Sequence, residues 1–314
     1  MTKKNDFIKI FLITVISFLI IDFLIGKNLY KNFIRKSFVD ADIGMGLPDN
    51  VYHHKFKKNY KTKNAKWGSE IYKFCTDDNG FRTFCSNKVK IRRDFDIGLI
   101  GDSFTEGIGL NYDDTFSGII EKKLKNKTVA NLGVTSYSPA IYYKKIKKLL
   151  EENYNFKEII VFLDISDLYD DNVCYQLKLE KVILREPPNG KDTCHYINYD
   201  TKEKILAFMN QKLKLSYELI KIVSDALIKL EIKNQTIKHS VINSQKSEWT
   251  FNYNKKNYNN LEREEFINTS IENMTMLAEI LQKKKIKLSI VLYPWPGTLK
   301  YDKRNNIHVK IWKN

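Results

Sequence analysis

The stretch IGLIGDSFTEGIGL, Ile97 to Leu110, joins an apolar run to a Gly-Asp-Ser turn and then to an acidic, glycine-punctuated segment. A serine at such a junction has two uses. Its hydroxyl can attack an acyl carbon, given a base to take the proton. Alternatively, Ser103 or Asp102 can cap a helix that begins there, because either side chain accepts from free helix N–H groups. Three further polar stretches follow apolar runs in the same way: NLGVTSYSP from Asn131, DISDLYDDN from Asp164 and YPWPG from Tyr293. Gly133 in the second is a turn residue or a place where backbone approaches a ligand closely. In the third, Asp164 orients a partner or bonds to backbone, and Ser166 offers a hydroxyl. The run Asp167, Asp170, Asp171 caps a helix or faces solvent, and we expect no metal there. Trp295 either packs or lines a sugar-binding cleft.

These stretches need elements to hold them. FDIGLIG (Phe95 to Gly101) and KTVANLG (Lys127 to Gly133) read as strands, with a helix at about Phe116 to Leu124 between them. Pro139 to Tyr154 begins with proline and carries apolar residues at helical spacing, and Lys157 to Ser166 reads as a buried strand. A helix at Arg263 to Lys284 and a strand at Ile286 to Pro296 complete the alternation. The pattern predicts an α/β fold with a parallel sheet, built of βαβ units, whose four polar stretches meet at the strand ends. An insertion from Asp170 to about Leu261, with a helix at Lys202 to Leu230, interrupts it. Residues 91–314 are thus expected to be one domain. Before it, Lys27 to about Lys66 reads as a surface linker, and Trp67 to Val89 as a loop or hairpin.

The segment FIKIFLITVISFLIIDFLIG, Phe7 to Gly26, is apolar apart from Lys9, Thr14, Ser17 and Asp22. About 20 such residues span a bilayer. No small-residue cleavage site follows, so an uncleaved, single-pass transmembrane anchor is expected, with a buried core helix as the alternative. Charge leaves the orientation open: Lys3 and Lys4 precede the span, while Lys27, Lys31, Arg35 and Lys36 follow it, and a positive-inside count favours a cytoplasmic domain. The cysteines point the other way. Cys75 and Cys85, and Cys174 and Cys194, form two local pairs that suggest an oxidising compartment, although four cysteines allow three connectivities. We expect the domain to face the periplasm or cell exterior. No close C-x-x-C spacing suggests zinc.

The net charge of +16 would suit an anionic partner, yet the lysines are spread along the chain. No zinc-finger spacing or RNA-binding aromatic signature accompanies them, so no nucleic-acid partner is expected.

The first three polar stretches resemble the blocks of SGNH hydrolases, the GDSL-type esterases and related polysaccharide O-acyltransferases, over roughly Phe95 to Pro296. GDSFTEGIG is the most specific of them. The resemblance implies a three-layer sandwich with a flavodoxin-like, mostly parallel sheet and no cofactor. It implies Ser103 as nucleophile, with an oxyanion hole from the backbone N–H groups of Ser103 and Gly133 and from Ser166, and Asp102 and Asp164 in support. The third block departs from the family's G-x-N-D, because Asp164, Ile165, Ser166 and Asp167 stand there. That departure resembles the membrane-anchored branch associated with acyl transfer to glycans. The family's D-x-x-H is not found. His308 is the one late histidine, with Asn305 at the position of the family's aspartate. Either the chain is cut from a longer protein before that block, which we expect, or His308 is the base, alone or with Asp302. His53, His54, His195 and His239 are expected at the surface. The implied substrate is an O-acylated surface glycan or another small ester, cleaved or transferred through an acyl-serine; the rival is a non-catalytic glycan-binding or assembly protein.

Overall fold

A computed structural model of the chain describes residues 2–30, 44–67, 70–85, 92–185, parts of 205–223, 263–295, 298–299 and 307–313. Two units emerge: Met1–Asp40 with Ile197–Ile242, and Ala41–Tyr196 with Asn243–Asn314.

In the first unit, helix α1 (Thr2–Ile21) runs on through a π-turn at Asp22–Gly26 and a last turn at Lys27–Leu29. The 22 residues Ile8–Leu29 have a mean hydropathy of 2.6 and are long and apolar enough to cross a membrane. Most of their side chains, Phe11, Ile16 and Leu24 among them, are exposed. Of the helix expected at Lys202 to Leu230, residues 214–220 are described and helical.

The second unit opens with two antiparallel hairpins, β1 (Gly46–Asp49) with β2 (His53–Phe56), and β3 (Lys61–Trp67) with β4 (Glu70–Cys75). This segment was expected to be surface linker up to Lys66. Instead Tyr52, Phe56 and Ala65 are buried with Tyr72 and Phe74 in the main core. The alternation of Tyr52, His54 and Phe56 inward is a strand pattern, spread over too few residues to stand out in a lysine-rich stretch. Cys75 and Cys85 are joined by a disulfide. Cys174 is disulfide-bonded as well, and Cys194 lies outside the described residues.

Then follow β5 (Asp94–Ile100), α2 (Ser103–Glu106), α3 (Phe116–Lys123), β6 (Val129–Asn131), α4 (Pro139–Glu151), β7 (Asn155–Leu163) and α5 (Ile165–Tyr169). The hairpin β8 (Tyr175–Lys178) and β9 (Lys181–Leu184), α6 (Arg263–Lys283), β10 (Lys287–Leu292) and α7 (Ile307–Ile311) complete it. The start of the expected insertion is therefore part of the packed unit: Val173, Tyr175 and Val182 are core residues.

Strands β10, β7, β5 and β6 form one parallel sheet in that order. Val161 and Leu163 of β7 pack on one face with Ile141 and Ile146 of α4 and Leu277 and Leu281 of α6. Ile160 and Phe162 face the other way, with Ile97, Leu99 and Ile120 of α3. The sheet is thus covered by helices on both faces, as a parallel sheet requires. Local signals set the helices: Thr115 caps α3 by accepting from the Gly118 N–H at 3.0 Å, and Pro139 occupies the first turn of α4. The chain passes from β5 to β6 on one side and returns to β7 on the other. The strand order reverses at the carboxyl end of β5, which is where open α/β sheets leave a ligand crevice.

Candidate active site

Ser103 stands at that reversal, as the first residue of α2. The turn is tight: a Cβ on Gly101 would lie 2.1 Å from Thr105 Oγ1 and 3.0 Å from the Phe162 carbonyl, so only glycine fits. Asp102 is the cap, accepting from the Phe104 N–H at 2.9 Å. The Ser103 hydroxyl lies 3.5 Å from Asp102 Oδ2, the outer limit of a hydrogen bond. The cap and the nucleophile readings of this turn therefore fall on different residues. Asp102 does the capping, which leaves the Ser103 hydroxyl and the N–H of the open first turn for other partners.

The end of β10 closes over this turn. Tyr293 donates its hydroxyl to Asp102 Oδ1 at 2.6 Å, and its ring centroid is 5.0 Å from that of Phe104. Trp295 lies 6.2 Å from Phe104 and donates its indole N–H to Asp164 Oδ2. At the end of β7, Asp164 Oδ1 accepts from the N–H and hydroxyl of Ser166. Asp164 in turn donates its N–H to Asp167 Oδ2 at 2.7 Å, closing a capping box on α5. Tyr142 of α4 donates to Asp167 Oδ1 at 2.6 Å.

Three buried carboxyl groups, Asp102, Asp164 and Asp167, are thereby gathered at two strand ends. Burial, with the Asp164 charge adding to it, pushes Asp102 up to about 8. The same two causes push Asp167 well above the usual carboxylate range. Groups this close cannot all ionise, so Asp102 holds a proton at neutral pH. His308 of α7 is buried on the Asp164 side. Burial lowers its pKa, opposed by the Asp164 charge, and neither ring nitrogen has a hydrogen-bond partner among the described residues.

Two of the expected oxyanion donors are engaged elsewhere. The Gly133 N–H donates to Asn131 Oδ1 at 3.0 Å, and Ser166 directs both donors at Asp164. Gly133 has a different steric role: a Cβ there would lie 2.7 Å from the Glu106 nitrogen and 2.7 Å from Thr105 Cβ. Its bare Cα lets the β6 loop press against α2.

Two residues that hold α2 escaped the sequence reading. Asn131 donates its amide to the Thr105 carbonyl at 2.7 Å. Arg82, buried against Tyr72 and Phe74, donates to the carbonyls of Glu106, Gly107 and Leu110. An arginine in a lysine-rich chain gives no sign of burial, so its role was not visible beforehand.

The histidines need correction, and of the two readings of the acids the structure favours the cap. His54 is buried, its Nε2–H donating to the Thr135 carbonyl at 2.8 Å, and burial lowers its pKa to about 3. His53 Nδ1 meets His54 Nδ1 at 2.8 Å. Its place in β2, under the loop after β6, is what buries His54, while His53 is half-buried. Asp167, Asp170 and Asp171 are also buried, with none facing solvent. Asp171 accepts from the Ser138 hydroxyl, the Ala140 N–H at 3.0 Å and Asn273 at 2.9 Å, so it caps α4 from a distance. His195, His239, Asp302 and Asn305 lie outside the described residues. Among the described residues, no three His, Cys, Asp or Glu side chains are arranged to hold a metal ion.

No protein-family model matches the chain, and no curated protein matches it.

Proposed function

We propose that the chain is a membrane-anchored serine esterase or acyltransferase of the SGNH type, with Ser103 as nucleophile. One observation carries this reading: Ser103 opens a helix at the strand-order reversal of a parallel sheet, with its cap supplied by Asp102 and not by its own hydroxyl. In this reaction Ser103 Oγ attacks the acyl carbon, and the proton passes to His308, whose imidazolium the Asp164 charge stabilises. The Ser103 N–H, at the positive end of α2, receives the oxyanion. The leaving alcohol takes the proton, and the acyl-serine passes to water or to a sugar hydroxyl. Gly133 and Ser166 shape the pocket through Asn131 and Asp164.

The substrate class we favour is an O-acylated surface glycan. Phe104, Tyr293 and Trp295 offer ring faces beside the serine, which suit the apolar face of a sugar. The apolar helix Ile8–Leu29 would be the single-pass anchor, and the Cys75–Cys85 disulfide supports a domain outside the cytoplasm. The sheet with helices on both faces supports the three-layer sandwich of this reading.

The test uses the full chain in detergent with a fluorophosphonate probe and a nitrophenyl acyl ester. Covalent labelling and acyl release, both lost in Ser103→Ala, are the expected result. No labelling and no release in the unaltered chain would overturn the enzymatic reading in favour of glycan binding. Release to water compared with transfer to an added oligosaccharide separates esterase from transferase.

A further inference from the structure

Asp22 is an ionisable residue within the apolar segment Ile8–Leu29, and it is buried. Charged groups at such positions need partners, because lipid provides none. The partners of Asp22 are backbone groups far along the chain: Oδ1 accepts from the Leu215 N–H at 2.9 Å, and Oδ2 from the Ser216 N–H at 2.7 Å. Those two amides belong to the open first turn of the helix at 214–220. Asp22 is therefore the cap of a second helix. Gly26 admits it: a Cβ there would fall 1.8 Å from Asp22 Oδ1, and the π-turn Asp22–Gly26 is what brings the two together. Lys214 adds a second tie, with its ammonium 5.1 Å from the centre of the Tyr30 ring.

The helix held in this way exposes apolar side chains. Leu219, Ile220, Ile222 and Val223 lie at spacings that share one helical face, and Leu219 and Ile222 are 56% and 63% exposed. Ile205 and Phe208, earlier in the segment, are exposed too. Asp22 stands about 10 Å along the helix from Leu29, at about 1.5 Å per residue. That depth suits an amphipathic helix lying in the lipid–water boundary, which buries its apolar face by about 5–10 Å. Exposed Lys212, just before the helix, places a cation where anionic headgroups would be.

We propose that the helix at 214–220, with Ile222 and Val223 just after it, forms a second membrane contact, lying in the lipid–water interface beside the apolar span and latched to it by Asp22. The bilayer is the occupant of the exposed apolar face, because the carboxylate that starts the helix belongs to the span itself. The proposal rests on reading Ile8–Leu29 as a membrane span.

The test places a nitroxide, through a genetically encoded ketone residue, at position 219 or 222 of the full chain in phosphatidylcholine–phosphatidylglycerol vesicles. Collision with oxygen, which concentrates in lipid, is compared with collision with a water-soluble nickel chelate. Position 11 serves as the reference for the span and exposed position 63 as the reference for water. The expected oxygen-to-nickel ratio at 219 and 222 is severalfold above that at 63 and close to that at 11. A ratio equal to that at 63, or shielding from both reagents as a second protein surface would give, overturns the proposal. If position 11 also behaves as position 63 does, the span reading falls and this one with it. In Gly26→Ala, which displaces the carboxylate, the ratio at 222 should drop while that at 11 holds; no change there would refute the latch.

Discussion

The Tyr293 hydroxyl donates to Asp102 Oδ1 across 2.6 Å, so the end of β10 is tied to the residue that precedes Ser103. That bond favours the ionised form of a carboxyl group whose burial favours the neutral one. The balance sets both the charge next to Ser103 and how stability responds to pH.

Asp102 is raised from 3.8 to about 8 on folding. Between those values the folded protein keeps a proton that the unfolded chain has released, so this group's contribution is full below about pH 4 and falls as pH rises to about 8. Asp102→Asn should flatten that part of the slope in urea unfolding followed from pH 4 to pH 8. An unchanged slope would place the linkage elsewhere. Tyr293→Phe removes a bond that favours the ionised form, so it should extend that slope above about pH 8 and cost about 1–2 kcal/mol, through one lost bond to a buried group.

Gly133→Ala tests the contact between the β6 loop and α2. The added methyl would sit 2.7 Å from the Glu106 nitrogen, and backbone cannot yield as a flexible side chain would. A loss of about 1–3 kcal/mol is expected from overpacking. Fluorophosphonate labelling of Ser103 should slow as well, because the helix that carries it must shift. Normal stability with normal labelling would show that the close approach has no importance.

Arg82 is a positioning residue for the same helix. Three carbonyls, those of Glu106, Gly107 and Leu110, depend on its guanidinium, and each stranded buried carbonyl costs about 1–3 kcal/mol. Arg82→Met should therefore lose about 3 kcal/mol or more. Arg82→Lys should rescue little, since a point charge cannot span three acceptors that a planar fork reaches. Full recovery of thermal stability and of Ser103 labelling in the lysine variant would contradict the forked geometry.

The Cys75–Cys85 disulfide closes a loop between residues 10 apart in sequence. Chain-entropy reasoning gives about 2–3 kcal/mol for a loop of this size. The double variant Cys75→Ser, Cys85→Ser should show that loss in urea unfolding. A protein isolated from its native cells with both thiols free would count against a domain outside the cytoplasm.

Much of the architecture was legible in advance, because it rests on signals between near neighbours. Pro139 starts α4, the apolar periodicity runs through to β7, and the run before Gly101 becomes β5 with bounds shifted by one residue. The apolar N-terminal helix was readable for the same reason, being a property of consecutive side chains. Ser103, Gly133, Asp164 and Trp295 could be singled out because each ends an apolar run, and strand ends are where an α/β sheet gathers its polar groups.

What neighbours could not determine is which distant groups meet. His54 reads as a polar residue in a basic stretch, and only the packing of β2 under the loop after β6 buries it against Thr135. Asp171 reads as a helix cap or a solvated acid, and only the fold makes it the cap of a helix that begins 32 residues earlier, at Pro139. Asp22 looks like a blemish in an apolar span until the amides of Leu215 and Ser216 arrive from almost two hundred residues away. Local sequence determined the elements and the turn on which Ser103 sits, since caps and periodicity act over one or two helical turns. Tertiary structure alone decided the partners of the buried charges, because a buried polar group must be satisfied by whatever the fold brings within hydrogen-bonding reach.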